Sequence, residues 1–237
     1  MQKVIDVKPR ELTRQRLWAW KDYAKYGLPV GITDAQWALV GMLKMVIIGQ
    51  LGKQMIYAAA VSVMLMTLGF LFTSALAGGA FVMVGKAVGA KDYALVRRYS
   101  TTIQIMFFFI GLFMTAVVYM LRGPFIGLYG LEPTTHQLAM TMTGITVFTL
   151  IGTTYHASCF VGINRGAGDN KFVMMVDMIC GWLIVLPLTA LAAFVFKWPL
   201  YIVYFMTRID QTFKWIIAFF RLRGDKWIHN VTREDTA

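Results

Sequence analysis

The chain has 237 residues, of which 58% are hydrophobic and only 15% are charged, and its formal net charge at pH 7 is +11. Together with a mean hydropathy of +0.60, this composition lies outside the range of soluble globular domains and indicates a membrane protein. The basic residues lie between apolar runs and form no continuous face, which excludes a nucleic-acid-binding protein. Both cysteines, Cys159 and Cys180, fall inside apolar runs. We therefore expect small core residues there, not a disulfide scaffold.

The first 26 residues form a basic leader with seven Lys or Arg and three acidic residues. It contains no apolar core of the kind found in a cleavable signal peptide. Leu17, Trp20, Ala24 and Leu28 share one helical face beside basic side chains, a pattern typical of a helix lying in the headgroup layer. A solvated charged leader is the alternative.

Six apolar segments are long enough to cross a bilayer, which needs roughly 20 residues per helix. They lie near 27–50, 56–84, 100–121, 137–163, 172–196 and 199–221. The second can tilt or bend near Gly78 and Gly79, whereas Pro124, Pro133 and Pro199 lie in connections. We therefore predict an all-α polytopic protein with a leader over 1–26, a six-helix transmembrane lobe over 27–222 and a tail over 223–237.

The distribution of basic residues predicts the orientation of these helices. With the segments counted on alternate sides, seventeen of the 23 Lys and Arg fall on the side of the leader and the tail, and four fall on the other side. Both termini are therefore predicted to be cytoplasmic.

The stretch GINRGAGDNKF, residues 162–172, concentrates glycine and charge between two apolar runs. Its spacing does not fit a Walker loop, and no strand precedes it as a dinucleotide fingerprint requires. We interpret it as a tight cytoplasmic turn that lets two helices approach and reverse, with basic residues holding it on the anionic side of the membrane. Its structural residues are Gly162, Arg165, Gly166, Gly168 and Asp169.

Six ionisable residues lie inside the predicted spans, where a charge is costly and usually faces protein or water. Each is a candidate for substrate or ion binding: Asp34, His156, Asp177, Arg208, Asp210 and Lys214. Asp34 can instead polarise a helix N-terminus, and Asp177 can instead make a structural hydrogen bond. His156 suits proton coupling, or it is a neutral interhelical hydrogen bonder.

The last span, LYIVYFMTRIDQTFKWIIAFF, carries three of these six charges. Asp210 and Lys214 are four residues apart and can pair along one helical face, whereas Arg208 points elsewhere and needs another partner. These charges line a water-filled cavity, or a shorter helix places them at the outer interface. The three histidines are scattered and neither cysteine has a suitable neighbour, so we predict no metal site and no catalytic site.

Four stretches resemble one known family in order and spacing. They are YGLPVGITDAQWALVG, FVMVGKAVGAKDYALVRR, GINRGAGDNKF with DMICGWLIVLPL behind it, and RLRGDKWIHNVT. Across residues 27–233 the chain resembles the C-terminal half of a multidrug and toxic compound extrusion (MATE) transporter. Its DNA-damage-inducible-type branch has an acid and a tryptophan after the first proline, as Asp34 and Trp37 follow Pro29 here.

The resemblance implies one six-helix lobe of a two-lobe fold, with the leader corresponding to the linker between the lobes. It carries the lobe-lining acids of the family over to Asp34 and Asp177, and it adds Trp37 to the candidate binding residues. The implied function is antiport of amphipathic, often cationic organic compounds against H⁺ or Na⁺ in the plasma membrane, with no cofactor besides the coupling ion. The expected partners are the bilayer, a small organic substrate and a second lobe from another copy or a complementary half. A non-transporting remnant or regulatory module is the alternative, and a membrane enzyme has no supporting motif.

Overall fold

A computed structural model of the chain describes residues 23–224 and 226–229, so the predicted amphipathic leader lies almost entirely outside the described residues. A π-helical turn, Tyr23–Gly27, leads into the first long helix. Five helices are long and apolar enough to span a membrane: α1 Leu28–Gly49, α2 Lys53–Gly89, α3 Tyr93–Gly127, α4 Pro133–Asn164 and α5 Asn170–Val195. No strand occurs in the described residues. The predicted all-α, multi-pass membrane fold is confirmed.

The sixth predicted span is a broken helix. Its two halves are α6, Leu200–Met206, and α7, Lys214–Arg223, and a short 3₁₀ turn over Ile209–Thr212 lies between them. The backbone N–H of Arg208 donates to the Phe205 carbonyl, three residues back, where the α-helical ladder ends. The break contains no proline or glycine. It coincides instead with the three charged residues of this segment.

The helices pack as two groups, which meet where α1 contacts α2 and where α6 contacts both α4 and α5. α1 lies against α5, whereas α2, α3 and α4 pack together, and α4 also contacts α6 and α7. Two apolar cores form at opposite ends of the lobe. One includes Val84, Phe107, Phe160 and Trp227, and the other includes Ile48, Met55, Ile126, Met142 and Tyr204.

A polar layer separates these two apolar cores. On α4 the threonines Thr143, Thr146, Thr149 and Thr153 follow a spacing of three or four residues, so they share one face. Thr143 bonds Ser62 of α2, and Thr146 bonds Tyr204 of α6. Hydrogen-bonded side chains therefore occupy the middle of the lobe, where they provide partners for buried charges.

The glycine turn after α4 lies tightly against α2. A Cβ atom on Gly166 would meet the Gly162 carbonyl oxygen at 2.7 Å and the Phe81 carbonyl oxygen at 2.9 Å, and Gly168 has a φ of +83°. Only glycine fits both the close approach and the left-handed backbone. Asp169 accepts two hydrogen bonds from Arg221, at 2.8 and 3.0 Å. The turn, the adjoining part of α2 and the end of α7 therefore lie at one end of the lobe, the end predicted to be cytoplasmic.

Candidate functional site

A cavity of about 310 Å³ lies where α1, α2, α4, α5 and the broken segment meet, and we call it the lobe cavity. Its volume is at the small end of the range of ligand pockets. Its charged lining residues are Lys44, Asp177, Arg208, Asp210 and Lys214. Four of these five were among the ionisable residues that the sequence placed inside the spans.

Lys214 is the centre of a buried ion triad. Its Nζ atom lies 2.9 Å from Asp177 Oδ1 on α5 and 2.8 Å from Asp210 Oδ2, and the lysine side chain is only 2% exposed. The pair between Asp210 and Lys214 was expected from their spacing. The second carboxylate comes from another helix and could not be read from that spacing. Two carboxylates around one ammonium offset part of the cost of removing all three charges from water.

Among the described residues, the hydrogen-bond partners of Arg208 are all neutral. Its Nε donates to Thr149 Oγ1 at 3.0 Å, and its Nη1 lies 2.9 Å from Met66 Sδ. Its Nη2 is buried and has no hydrogen-bond partner within the described part of the chain. Gln211 joins the break to α4, because it accepts from Thr153 and donates to Asp210.

Two polar residues of α1 complete the lobe cavity, and the sequence did not identify either of them. Lys44 Nζ donates to the Thr207 carbonyl at 3.4 Å, at the start of the break. Gln36 is 7% exposed, and neither polar atom of its amide has a partner among the residues described. The charge distribution places Lys44 among the cations outside the membrane, and the sequence prediction considers ionisable residues, which leaves out glutamine. Their spacing of eight residues, which places both on one helical face, is the signal that could have found them.

Asp34 and His156 lie away from the lining of the lobe cavity, and Trp37 contributes to it. Asp34 lies outside the buried triad: its side chain is 65% exposed, and Arg165 of the glycine turn donates to it at 3.0 Å. Trp37 is half-exposed. His156 is buried, and its Nδ1 is 2.9 Å from the Gly152 carbonyl of its own helix.

A larger groove of about 1100 Å³ opens between α3, α4 and α7. Its lining is rich in exposed aromatic side chains, including Phe108, Phe109, Phe148 and Trp215. Because a bilayer interior is apolar, we expect exposed apolar side chains such as these to contact acyl chains. The groove lacks the concentration of buried charge that distinguishes the lobe cavity.

Two solved structures have the same fold. One is a transporter of the MOP superfamily from Pyrococcus furiosus Vc1 (DSM3638), whose binding pocket is described as reversed in polarity. Its TM-score is 0.70 at 14% sequence identity, and the alignment covers 91% of this chain and 48% of that one. The other is an outward-facing multidrug resistance MATE family transporter of the MOP superfamily, with a TM-score of 0.63 at 13% identity, over 92% of this chain and 48% of that one. The chain thus spans about half the length of either structure.

No curated protein sequence matches the chain. The model of the MatE family matches residues 29–191, which include α1 to α4 and most of α5. The broken segment with Arg208, Asp210 and Lys214 follows the matched region. Because the match covers more than half of the sequence and the fold agrees, the chain belongs to the MatE family, a family of membrane transporters and not of enzymes.

Proposed function

We propose that the chain is one lobe of a secondary transporter that exports amphipathic, often cationic organic compounds in exchange for H⁺ or Na⁺. The observation that carries this proposal is the ion triad buried beside a broken transmembrane helix. Interrupted helices near the bilayer midplane form the substrate and ion sites of many secondary transporters, because the break leaves backbone groups available to a ligand. Buried intramembrane charges are costly and usually serve such a site.

The second lobe comes from another copy of this chain or from a complementary half. The chain matches only about half the length of the related structures. Two lobes with parallel orientation can enclose a central cavity that opens to either side of the membrane in turn. The transporter lies in the plasma membrane with both termini of this chain in the cytoplasm, as its basic residues predict.

Asp34 and Trp37 act in this scheme at the face of α1 that the second lobe would cover. Both side chains are substantially exposed in the single lobe, at 65% and 49%. Asp177 and its partners act inside the lobe. His156 is buried on α4, outside the lining of the lobe cavity. This arrangement separates an outer acid, open to an organic substrate, from an inner charged cavity of small volume.

A non-transporting lobe that pairs with another protein is the second candidate. It is favoured by Lys214, whose ammonium already occupies the position between the two inner carboxylates. A lobe locked by such a triad would stabilise a partner without binding a coupling ion itself.

Dye efflux from proteoliposomes tests the two candidates. The purified chain, alone or with a complementary lobe, is reconstituted with an imposed H⁺ or Na⁺ gradient, and rates are normalised to folded protein. We expect gradient-driven efflux in the wild type and loss of most of it in Asp177→Asn, which leaves Lys214 with one carboxylate. The matched control is Glu132→Gln, at an exposed carboxylate before α4 that caps no backbone N–H. Efflux that is absent from every wild-type preparation, or unchanged in Asp177→Asn, would reject this transport mechanism.

A further inference from the structure

The positive and negative charges of the side chains that line the lobe cavity are unequal in number. Among the described residues of its lining, three are cations and two are carboxylates. The three cations are Lys44, Arg208 and Lys214, so one positive charge is left over. An uncompensated charge inside a membrane-embedded lobe is costly, and a ligand of opposite sign would reduce that cost.

The two carboxylates are poorly placed to accept a cation from outside. Lys214 Nζ lies within 2.9 Å of both Asp177 and Asp210 and is almost fully buried. It therefore occupies the position that a metal ion or an organic ammonium would need. Lys44 and Arg208, in contrast, have no carboxylate within ion-pair distance in the described part of the chain; their contacts are to a carbonyl, a hydroxyl and a thioether.

Several buried polar atoms at the lobe cavity also have no partner in the region described. Arg208 Nη2 and the amide nitrogen of Gln36 are donors, whereas Gln36 Oε1 and Asp210 Oδ1 are acceptors. Buried polar groups of native proteins are usually hydrogen-bonded, and each exception needs a reason. A ligand that satisfies this set must bring acceptor oxygens with a negative charge and at least one hydroxyl or N–H donor.

The geometry points to a small hydroxycarboxylate as the ligand of the lobe cavity. Its carboxylate would bind Arg208 and Lys44, and its hydroxyl would donate to Asp210 Oδ1 or to Gln36. A single negative charge balances the excess, and the volume of about 310 Å³ admits only a compact molecule. This inference deepens the proposed function by assigning the substrate class of the inner site, whereas the amphipathic compound would use the cavity between the lobes.

Thermal unfolding of the detergent-solubilised chain tests this assignment with three probes of nearly equal size. Lactate has the carboxylate and the hydroxyl, propionate lacks the hydroxyl, and propane-1,2-diol lacks the charge. Ligands that bind only the folded state raise the unfolding temperature in a saturable way. We expect lactate to do so, propionate to bind roughly 3- to 10-fold more weakly because one hydrogen bond is lost, and the diol to have no effect.

Two variants locate the effect in the lobe cavity. Arg208→Gln should weaken lactate binding by about 10- to 100-fold, since a charge-assisted hydrogen bond is lost. The matched control is Arg122→Gln, because the Arg122 side chain lies over the Tyr119 ring, outside the lining of the lobe cavity, and lactate binding should be unchanged. If Arg208→Gln does not fold, Lys44→Gln provides the test, because Lys44 is only half-buried and makes one long hydrogen bond.

The proposal is overturned if lactate causes no saturable shift in the wild type. It is also overturned if the shift persists in the folded cavity variant, or if it follows the cation when sodium is replaced by tetramethylammonium. This measurement requires no transport. Lactate binding without dye efflux would therefore reject only the transport proposal, and dye efflux without lactate binding would reject only the hydroxycarboxylate.

Discussion

Gly152 determines whether the broken segment can pack against α4. A Cβ atom at this position would lie 2.7 Å from the Gln211 carbonyl oxygen and 3.2 Å from Cδ1 of Trp215. The nearer contact is to backbone and cannot be relieved by rotating a side chain. Gly152→Ala must therefore displace the 3₁₀ turn or α4 itself.

The cost of Gly152→Ala follows from two opposing effects. Alanine is favoured over glycine inside a helix by about 0.5–1 kcal/mol. Overpacking of a tight contact costs about 1–3 kcal/mol, and displacement of Gln211 weakens its bonds to Thr153 and Asp210 by about 1 kcal/mol each. We expect a net loss of about 2–4.5 kcal/mol in the free energy of unfolding, and each 2 kcal/mol of that loss should lower the Tm by roughly 4–8 °C.

Gly144→Ala is the control in the same helix. Among the described residues, its Cβ would meet only Nη1 at the end of the long Arg122 side chain, at 3.4 Å. We expect this variant to keep or slightly raise the Tm, because helix propensity then acts without a clash. The Tm of each variant is measured by intrinsic fluorescence during heating in the same detergent. Equal changes in Tm for the two variants would refute the close packing of the break on α4.

Three further predictions concern the glycine turn, the exposed acid and the orientation. Gly166→Leu should sharply reduce the yield of monodisperse protein, because backbone oxygens lie within 3 Å of its Cβ position. Gly78→Leu should not, because no neighbouring element in the described part of the chain comes within 4 Å of its Cβ position, and equal yields would contradict the tight turn. Asp34→Asn should change the free energy of unfolding by less than about 1 kcal/mol, since its ion pair is exposed. The same variant should lower gradient-driven efflux, and an unchanged normalised rate would remove this acid from the mechanism. A reporter fused after Lys171 should be cytoplasmic and one after Pro133 external, and a cytoplasmic signal at Pro133 would reject the predicted orientation.

The membrane fold could be predicted from sequence because its cause is local. A bilayer selects helices of about 20 apolar residues whose backbone groups are bonded within the helix, so composition and length identify them without tertiary contacts. The five long helices confirm this. The break at Ile209–Thr212 was not predictable in the same way, because no proline or glycine signals it. Buried charges that find partners on other helices compete there with the α-helical ladder.

The candidate site was predicted only in part, for a related reason. The high cost of charge in the membrane identified Asp177, Arg208, Asp210 and Lys214 as unusual. The sequence could not show that Lys214 binds two carboxylates from different helices, because Asp177 is 37 residues away and that contact depends on how α5 packs.

Gln36 is the residue that depends most completely on the tertiary structure. Its amide is neutral, so the cost of burying charge in a membrane does not identify it in the sequence. It becomes important only because packing buries it beside the lobe cavity. Asp34 shows the reverse case. The family resemblance and the cost of a charge inside a membrane both indicate Asp34 as a binding residue, whereas packing places it on an exposed face next to Arg165. Sequence therefore determined which groups are expensive to bury, and tertiary packing decided which of them meet and which remain exposed, because those distances depend on contacts between helices far apart in the chain.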